Sequence, residues 1–285
     1  MIESVCFMAL VTLKELVERA EKENKAVGAF SVGNMEMVMG AVAAAEDAGE
    51  PIILQIAEKR LKNSPLALMA PMMISAAKRS SADIAVHLDH GLTLACIKEA
   101  LAFGFTSVML DASLLPFEEN IAMTNQVSAL AAGTGASVEA ELGVVGGNEG
   151  DTAEHKILCT DPAAALTFCE QTSIDALAVA IGNAHGNYPV LPELRFDILE
   201  AIDNTVSTPL VLHGGTGITD DMFRRAVALG VRKINIATAS FDHLAQYAKA
   251  YTDTVDKPDY FKLSEEMVRG VHDNVLRHIK VFSGE

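Results

Sequence analysis

The sequence predicts an α/β protein, a closed (β/α)8 TIM barrel folded as one domain, and three observations predict it. Eight short apolar runs alternate with helical stretches along the chain, and such alternation implies parallel strands joined by helical crossovers. Eight units within 285 residues fit a closed barrel better than an open doubly wound sheet. No Pro/Ser-rich linker, charge block or low-complexity segment divides them, so residues 1–285 are expected to form a single unit.

Taken in order, Thr12-Leu-Lys-Glu15 has the spacing of a capping box. Leu13, Leu16, Val17 and Ala20 then recur at helical period, predicting an amphipathic helix that covers the start of the barrel. The first strand is expected at Val27–Val32, followed by a helix through Met35–Ala48. The second is expected at Pro51–Ala57, followed by the basic loop Lys59-Arg60-Leu61-Lys62 and a helix through Leu68–Arg79. The remaining strands are expected at Ile84–Leu88, Ser107–Leu110, Ser137–Leu142, Ala176–Ile181, Pro209–Leu212 and Arg232–Ile236. Beyond the eighth strand, residues 239–285 read as C-terminal helices, with Thr238–Ala250 and Leu263–Val281 separated by Lys257-Pro258. They would close the barrel or build an oligomer interface.

Composition excludes several classes of function. With 22 basic and 38 acidic residues the formal charge is −16, and no basic run is long enough to follow a phosphate backbone, which argues against nucleic acid and against an anionic membrane. Any phosphate must therefore be held locally. No apolar run approaches a membrane-spanning length. The four cysteines, Cys6, Cys96, Cys159 and Cys169, form no C-x-x-C pair, as expected of reduced thiols in a cytoplasmic protein. Met1–Val11 is too short an apolar run for a signal segment, and Met8 could be the natural start, with residues 1–7 an extension.

In a parallel barrel only the carboxyl ends of strands and the loops after them reach the catalytic face, and this rule selects the reactive residues. Asp89, His90 and Gly91 follow strand three and Asp111 ends strand four; Glu139 and Glu141 lie at the end of strand five. His185-Gly186 follows strand six, His213-Gly-Gly-Thr-Gly217 follows strand seven, and Asn235-Ile-Ala-Thr238 ends strand eight. One such histidine is most simply a satisfied core residue. Three from three strands, His90, His185 and His213, form the ligand set of a catalytic Zn²⁺ with an open position, and nitrogen donors disfavour Mg²⁺ and Ca²⁺. His87 lies inside its strand and is expected to pack in the barrel, while His155, His243, His272 and His278 read as structural or solvated.

Gly214–Gly217 leads into Thr219-Asp-Asp221, a helix N-cap whose backbone N–H groups would face an anion between strands seven and eight. The loop Gly143–Ala153 is long and glycine-rich and carries Glu149 midway, the pattern of a lid. An imine mechanism is disfavoured because no lysine ends a strand; Lys233 starts strand eight, on the opposite rim.

His-Leu-Asp-His-Gly91, Val138-Glu-Ala-Glu-Leu-Gly143, Ala178–Gly186, Leu212-His-Gly-Gly-Thr-Gly217 and Ile234-Asn-Ile-Ala-Thr238 closely resemble the zinc-dependent class II fructose-bisphosphate and tagatose-bisphosphate aldolases, short branch. The likeness runs in the same order from about Met8 to the end of strand eight. It implies reversible retro-aldol cleavage of a phosphorylated ketose to dihydroxyacetone phosphate and an aldehyde. It further implies that His90, His185 and His213 bind the zinc and that Asp89 moves the hydroxyl proton. Gly186, Gly214, Gly215, Thr216, Asn235, Ile236, Ala237 and Thr238 would hold the dihydroxyacetone phosphate half, with a Na⁺ or K⁺ nearby. Asp111 and Glu141 would serve a second Zn²⁺, and Glu149 would remove the ketose proton. A homodimer or homotetramer is expected.

Several departures bear on the substrate. Where bisphosphate-cleaving members carry Asp-Pro-Arg, this chain has Lys257-Pro258-Asp259, so the grip on a distal phosphate is lost. Ser31 stands for a common Asn, Ala57 for a common Ser, and Asn148 for a second-metal carboxylate. The expected substrate is therefore not ordinary fructose 1,6-bisphosphate. The other readings are a metal-dependent sugar-phosphate isomerase or epimerase, which would share the enediolate chemistry, and a non-catalytic aldolase-like subunit.

Overall fold

A computed structural model describes residues 10–146, 158–186 and 192–285. Its elements are α1 (Leu13–Glu23), β1 (Val27–Ser31), α2 (Met35–Ala48), β2 (Ile52–Ala57), α3 (Leu66–Arg79), β3 (Ile84–Gly91), α4 (Leu94–Phe103) and β4 (Ser107–Leu110), then α5 (Phe117–Ala132), β5 (Ser137–Leu142), α6 (Pro162–Gln171) and β6 (Ala176–Val179). They continue with α7 (Phe196–Asp203), β7 (Leu210–Leu212), α8 (Asp220–Ala228), β8 (Val231–Ile236), α9 (Thr238–Thr252) and α10 (Tyr260–Ser283). The eight strands form a closed barrel in sequence order. Closure is a parallel pairing of β1 with β8, Val27 opposite Lys233 and Phe30 opposite Ile236. The chain is thus a TIM barrel.

Two apolar layers hold it. The larger lies between the sheet and the surrounding helices and includes Phe30, Leu54, Phe168, Phe223 and Phe282. The smaller plugs the amino-terminal mouth: Leu13, Leu16, Val17 and Ala20 of α1 pack on Val27, Ala29, Ile53, Ala85, Ala178 and Val211. The small interior side chains leave the plug room. Its helix begins with the expected capping box, Glu15 N–H donating to Thr12 Oγ1 and Thr12 N–H to Glu15 Oε2 at 2.7 Å, and ends at Asn24 in the left-handed region. Such a cap stabilises a helix by about 1 kcal/mol.

The strand ends differ from the sequence expectation in one informative place. β3 continues beyond Leu88 to Gly91, so Asp89 and His90 belong to the strand rather than to a following loop. The helix α3 starts two residues earlier than expected, and α10 extends the last predicted helix at both ends. α10 packs along α2 and α9. Gly40 makes that contact possible, since a Cβ there would stand 2.5 Å from the Val268 carbonyl oxygen. Among the described residues no helix is long and apolar enough to cross a membrane.

On the buried face of α10, His278 is 3% exposed, with Nδ1–H donating to the Asn274 carbonyl at 2.8 Å and the ring against Phe223 and Phe282. Burial, reinforced by the Arg277 charge, depresses its pKa from 6.5 to about 4. The folded state therefore resists a proton that the unfolded chain accepts. Its contribution is complete above pH 6.5 and is lost as pH falls toward 4, at about 1.4 kcal/mol per unit. Urea titrations of the metal-free protein at pH 7 and pH 5 should show a larger loss of stability for the wild type than for His278→Gln.

Candidate metal centre and active site

The site begins with an irregularity in β3. Its pairing with β4 shifts register between Leu88 and Gly91, and His90 adopts φ +39°, a left-handed value unusual for a residue with a side chain. Consecutive residues of a regular strand point to opposite faces. Here Asp89 and His90 instead turn to the same place: both are 2% exposed, and Asp89 Oδ1 lies 4.0 Å from His90 Nε2. The backbone strain, of order 1–3 kcal/mol at such a position, sits where the chemistry is expected.

His90, His185 and His213 meet as the sequence predicted. Their ring centroids are 4.8 Å apart for His90 and His185, 4.7 Å for His90 and His213, and 5.9 Å for His185 and His213. One ring nitrogen from each can be chosen so that all lie within 4.8 Å of one another, the arrangement of a trigonal ligand face. The loops bearing two of them touch through Gly214, at φ +66°, where a Cβ would fall 2.1 Å from the Ala184 carbonyl oxygen. No side chain fits there.

Carboxylates outside the trio orient the rings. Asp111 Oδ2 lies 2.9 Å from His90 Nδ1, and Glu139 Oε1 lies 2.8 Å from His213 Nε2. An ionised carboxylate only accepts, so these contacts place N–H on His90 Nδ1 and on His213 Nε2. His90 Nε2 and His213 Nδ1 are left for a metal, and both are buried without a hydrogen-bond partner among the described residues, Glu141 Oε2 standing 3.2 Å from His213 Nδ1 as an ion-pair contact only. Orphaned imidazole nitrogens backed by carboxylates are what a metal ligand needs. The electrostatics agree: burial opposes charge on His90, yet Asp89, Asp111 and Glu141 outweigh it and hold the ring up at about 10. His213 is also raised, burial being overcome by Glu139 and Glu141, whereas burial and its two histidine neighbours hold His185 low. The trio sits in a field that attracts positive charge.

Asp89 is buried but not isolated. Asn235 Nδ2 donates to its Oδ1 at 3.0 Å and Gln55 Nε2 donates to its Oδ2 at 3.2 Å. Burial alone would raise its pKa, but His90, His213 and Lys233 bring it below the ordinary aspartate value. Beside it a cleft is lined by Gly186, Gly214, Gly215, Thr216, Ala237 and Thr238. These expected substrate contacts come together, with one correction: the Ile236 side chain is fully buried in the core and is not among the residues that line the cleft. A second correction concerns the anion-facing helix. Thr219 does cap α8, accepting from Met222 N–H, but it lines a neighbouring groove with Arg224 and Arg277. The helix whose amino terminus reaches the cleft is α9, and Thr216 Oγ1 accepts from its Ala239 N–H at 3.1 Å.

Asp111 and Glu141 lie with His90 in a second possible ligand group. Asp111 already serves His90 and, through Oδ1, Ser113 N–H and Oγ. Glu141 Oε2 approaches His213 Nδ1 at 3.2 Å. Glu149, Asn148, His155, Cys6 and residues 1–7 lie outside the described residues.

The other described histidines follow the sequence reading. His87 packs inside the barrel, its Nδ1 2.7 Å from Ser107 Oγ and its pKa pushed by burial to about 3. His243 stacks on Tyr247, and His272 contacts Asp47 and Asp273. Lys233 departs from it: its side chain climbs inside the barrel, fully buried, to Glu139 Oε2 at 2.8 Å and Asn235 Oδ1 at 2.7 Å. It is on neither rim, and its engaged, inaccessible ammonium is no imine nucleophile. Sequence reasoning also gave Gln55 no role, although one amide in the otherwise apolar Ile52–Ala57 was a signal.

A family model for "Fructose-bisphosphate aldolase class-II" matches residues 11–285. A fructose-bisphosphate aldolase of Geobacillus stearothermophilus is 42% identical over 240 residues, 81% of this chain and 82% of its own. A sulfofructosephosphate aldolase of Alkalicoccus urumqiensis is 36% identical and spans 98% of both chains. The crystal structure of the YdjI aldolase from Escherichia coli K12 superposes with a TM-score of 0.86 at 34% identity, covering 96% of this chain and 97% of that one. A family match over residues 11–285, with relatives of this identity along most of their own length, shows that the chain belongs to the class II fructose-bisphosphate aldolase family, a family of carbon–carbon lyases.

Proposed function

We propose that the protein is a zinc-dependent ketose-phosphate aldolase that releases dihydroxyacetone phosphate and an aldehyde other than glyceraldehyde 3-phosphate. The observation that carries this reading is the pair of orphaned nitrogens, His90 Nε2 and His213 Nδ1, gathered with His185 beside an ionised Asp89. His90, His185 and His213 would hold the zinc, which supplies Lewis-acid stabilisation of the negative charge developing on the substrate.

The chain's own residues do the rest. Asp89, kept an acceptor by Asn235 and Gln55, takes the proton of the hydroxyl whose carbon becomes the aldehyde. The carbon–carbon bond then breaks, leaving its electron pair on the dihydroxyacetone phosphate half as an enediolate. In the synthetic direction Asp89 returns the proton to the new alkoxide. The glycine-lined cleft and the positive end of α9 at Thr238 receive the phosphate, so a strongly acidic protein binds an anion without a basic patch. Glu149 is assigned, from the family resemblance, the proton exchange at the enediolate carbon. A second Zn²⁺ at Asp111 and Glu141, a monovalent cation near the phosphate and a homo-oligomer belong to the same reading.

Substrate choice rests on the other half. Asp259, in the stretch where bisphosphate enzymes carry arginine, accepts from Lys262 N–H and caps α10, so it offers no grip on a phosphate. In the basic turn after β2, Arg60 stands over the Phe241 ring at 5.5 Å, while Lys59 is near enough to His185 to disfavour its protonation. A relative named for a sulfo-substituted fructose phosphate, spanning 98% of this chain, supports a distal group other than phosphate. The test is a panel of ketose 1-phosphates with the zinc-loaded enzyme. A ketose with a non-phosphate anionic or neutral distal end should exceed fructose 1,6-bisphosphate at least tenfold in kcat/KM; equal or better cleavage of the bisphosphate would overturn the substrate assignment.

A further inference from the structure

Lys233 is fully buried inside the barrel, where an ammonium group is costly unless paired. It is paired with two acceptor groups on different elements: by an ion pair with Glu139 Oε2 of β5 at 2.8 Å and, two residues along its own strand, by a hydrogen bond to Asn235 Oδ1 at 2.7 Å. Each acceptor leads to a functional group. Glu139 continues through its other oxygen to His213 Nε2 at 2.8 Å. Asn235 continues through its amide nitrogen to Asp89 Oδ1 at 3.0 Å.

An ammonium donates and never accepts, which sets the direction of the Asn235 branch, and its charge acts on the Glu139 branch. The two ends of an asparagine amide are nearly isosteric, so something must decide which faces Asp89. Lys233 claims the oxygen, and the NH2 is left to donate to the Asp89 carboxylate. On the other branch the ammonium compensates the buried Glu139 carboxylate, which is thereby able to accept from His213 Nε2–H and leave Nδ1, beside Glu141 Oε2 at 3.2 Å, for the metal. The neighbouring His87 offers no second cation, since burial holds it neutral with its Nδ1 on Ser107.

Resting on the zinc-aldolase reading above, we infer that Lys233 is a positioning residue shared by both halves of the site, setting the His213 tautomer for the metal and the Asn235 amide for Asp89. It touches neither metal nor substrate. Its loss is felt twice, in metal affinity and in turnover at saturating metal. A lysine that merely balanced a buried charge would affect only stability.

The test uses Lys233→Met, with Lys233→Arg as the charge-retaining variant and His213→Ala as a control, each checked for folding by circular dichroism. Zinc affinity is measured by chelator competition, and kcat and KM are measured at saturating zinc. Lys233→Met should bind zinc about 10–100-fold more weakly, the usual cost of losing an outer partner of a metal ligand. Its kcat at saturating zinc should fall at least tenfold with KM within threefold, and Lys233→Arg should recover part of both losses. Should Lys233→Met fail to fold, Lys233→Met/Glu139→Gln removes the uncompensated carboxylate, and its kcat should still be at least tenfold low. A folded variant of either kind with zinc affinity and kcat within threefold of wild type overturns the proposal and leaves the zinc reading intact. Zinc still bound by the His213→Ala control at wild-type affinity overturns both.

Discussion

Asp89→Asn is expected to lower kcat by about 10²–10⁴-fold, the usual range for a general acid–base group and equivalent to roughly 3–5 kcal/mol of transition-state stabilisation. The substitution keeps the side chain's size but removes the acceptor that takes the hydroxyl proton. It also places an amide NH2 opposite the donors of Asn235 or Gln55, both now directed at a carboxylate. Zinc affinity should stay within about threefold of wild type, because Asp89 is not one of the three nitrogen donors. Parallel kcat and chelator-competition measurements check this. A large loss of zinc in Asp89→Asn would instead make the carboxylate part of the metal's coordination.

His213→Ala should have the opposite signature. Removing one of three protein ligands is expected to weaken zinc by about 10³-fold or more, given that a complete protein zinc site is worth about 10–16 kcal/mol. Activity should vanish at micromolar zinc and return partly when zinc is raised, whereas Asp89→Asn should not respond. The fold should survive, since Glu139 keeps Lys233 as a partner when His213 is gone. Thermal unfolding of metal-free His213→Ala against metal-free wild type checks that, and the isotherms check the metal.

The alternation of apolar runs and amphipathic stretches made the barrel legible, because strand and helix periods differ and the interior must be filled. The convergence of the three histidines was legible for a related reason: the barrel puts every strand's carboxyl end on one face, so residues far apart in sequence had one place to go. Other features depend on three-dimensional detail that no local pattern carries. The bulge that turns Asp89 and His90 the same way comes from the β3–β4 register. Ile236 sits in a motif whose neighbours line the cleft, yet strand alternation sends its side chain into the core. The choice between α8 and α9 as the anion-facing helix rests on how the loops after β7 and β8 fold over each other. Lys233 was misplaced because its Cα lies low on β8, whereas a lysine stem is long enough to carry its ammonium up to the layer beneath the site. Glu139 and Glu141, two apart on β5, were visible as a pair facing one way. That Glu139 would hold His213 from outside, while Glu141 approaches its other nitrogen, follows only from the packed geometry.

The central claim is that zinc and Asp89 serve the activation of a three-carbon ketose phosphate, and it can be tested without knowing the aldehyde. Zinc-loaded protein is incubated with dihydroxyacetone phosphate in heavy water and carbon-bound proton exchange is followed by NMR, beside a chelator-treated sample. The account predicts stereospecific exchange that disappears on chelation and returns with zinc but not with magnesium. No exchange by protein shown to hold both zinc and dihydroxyacetone phosphate would contradict it.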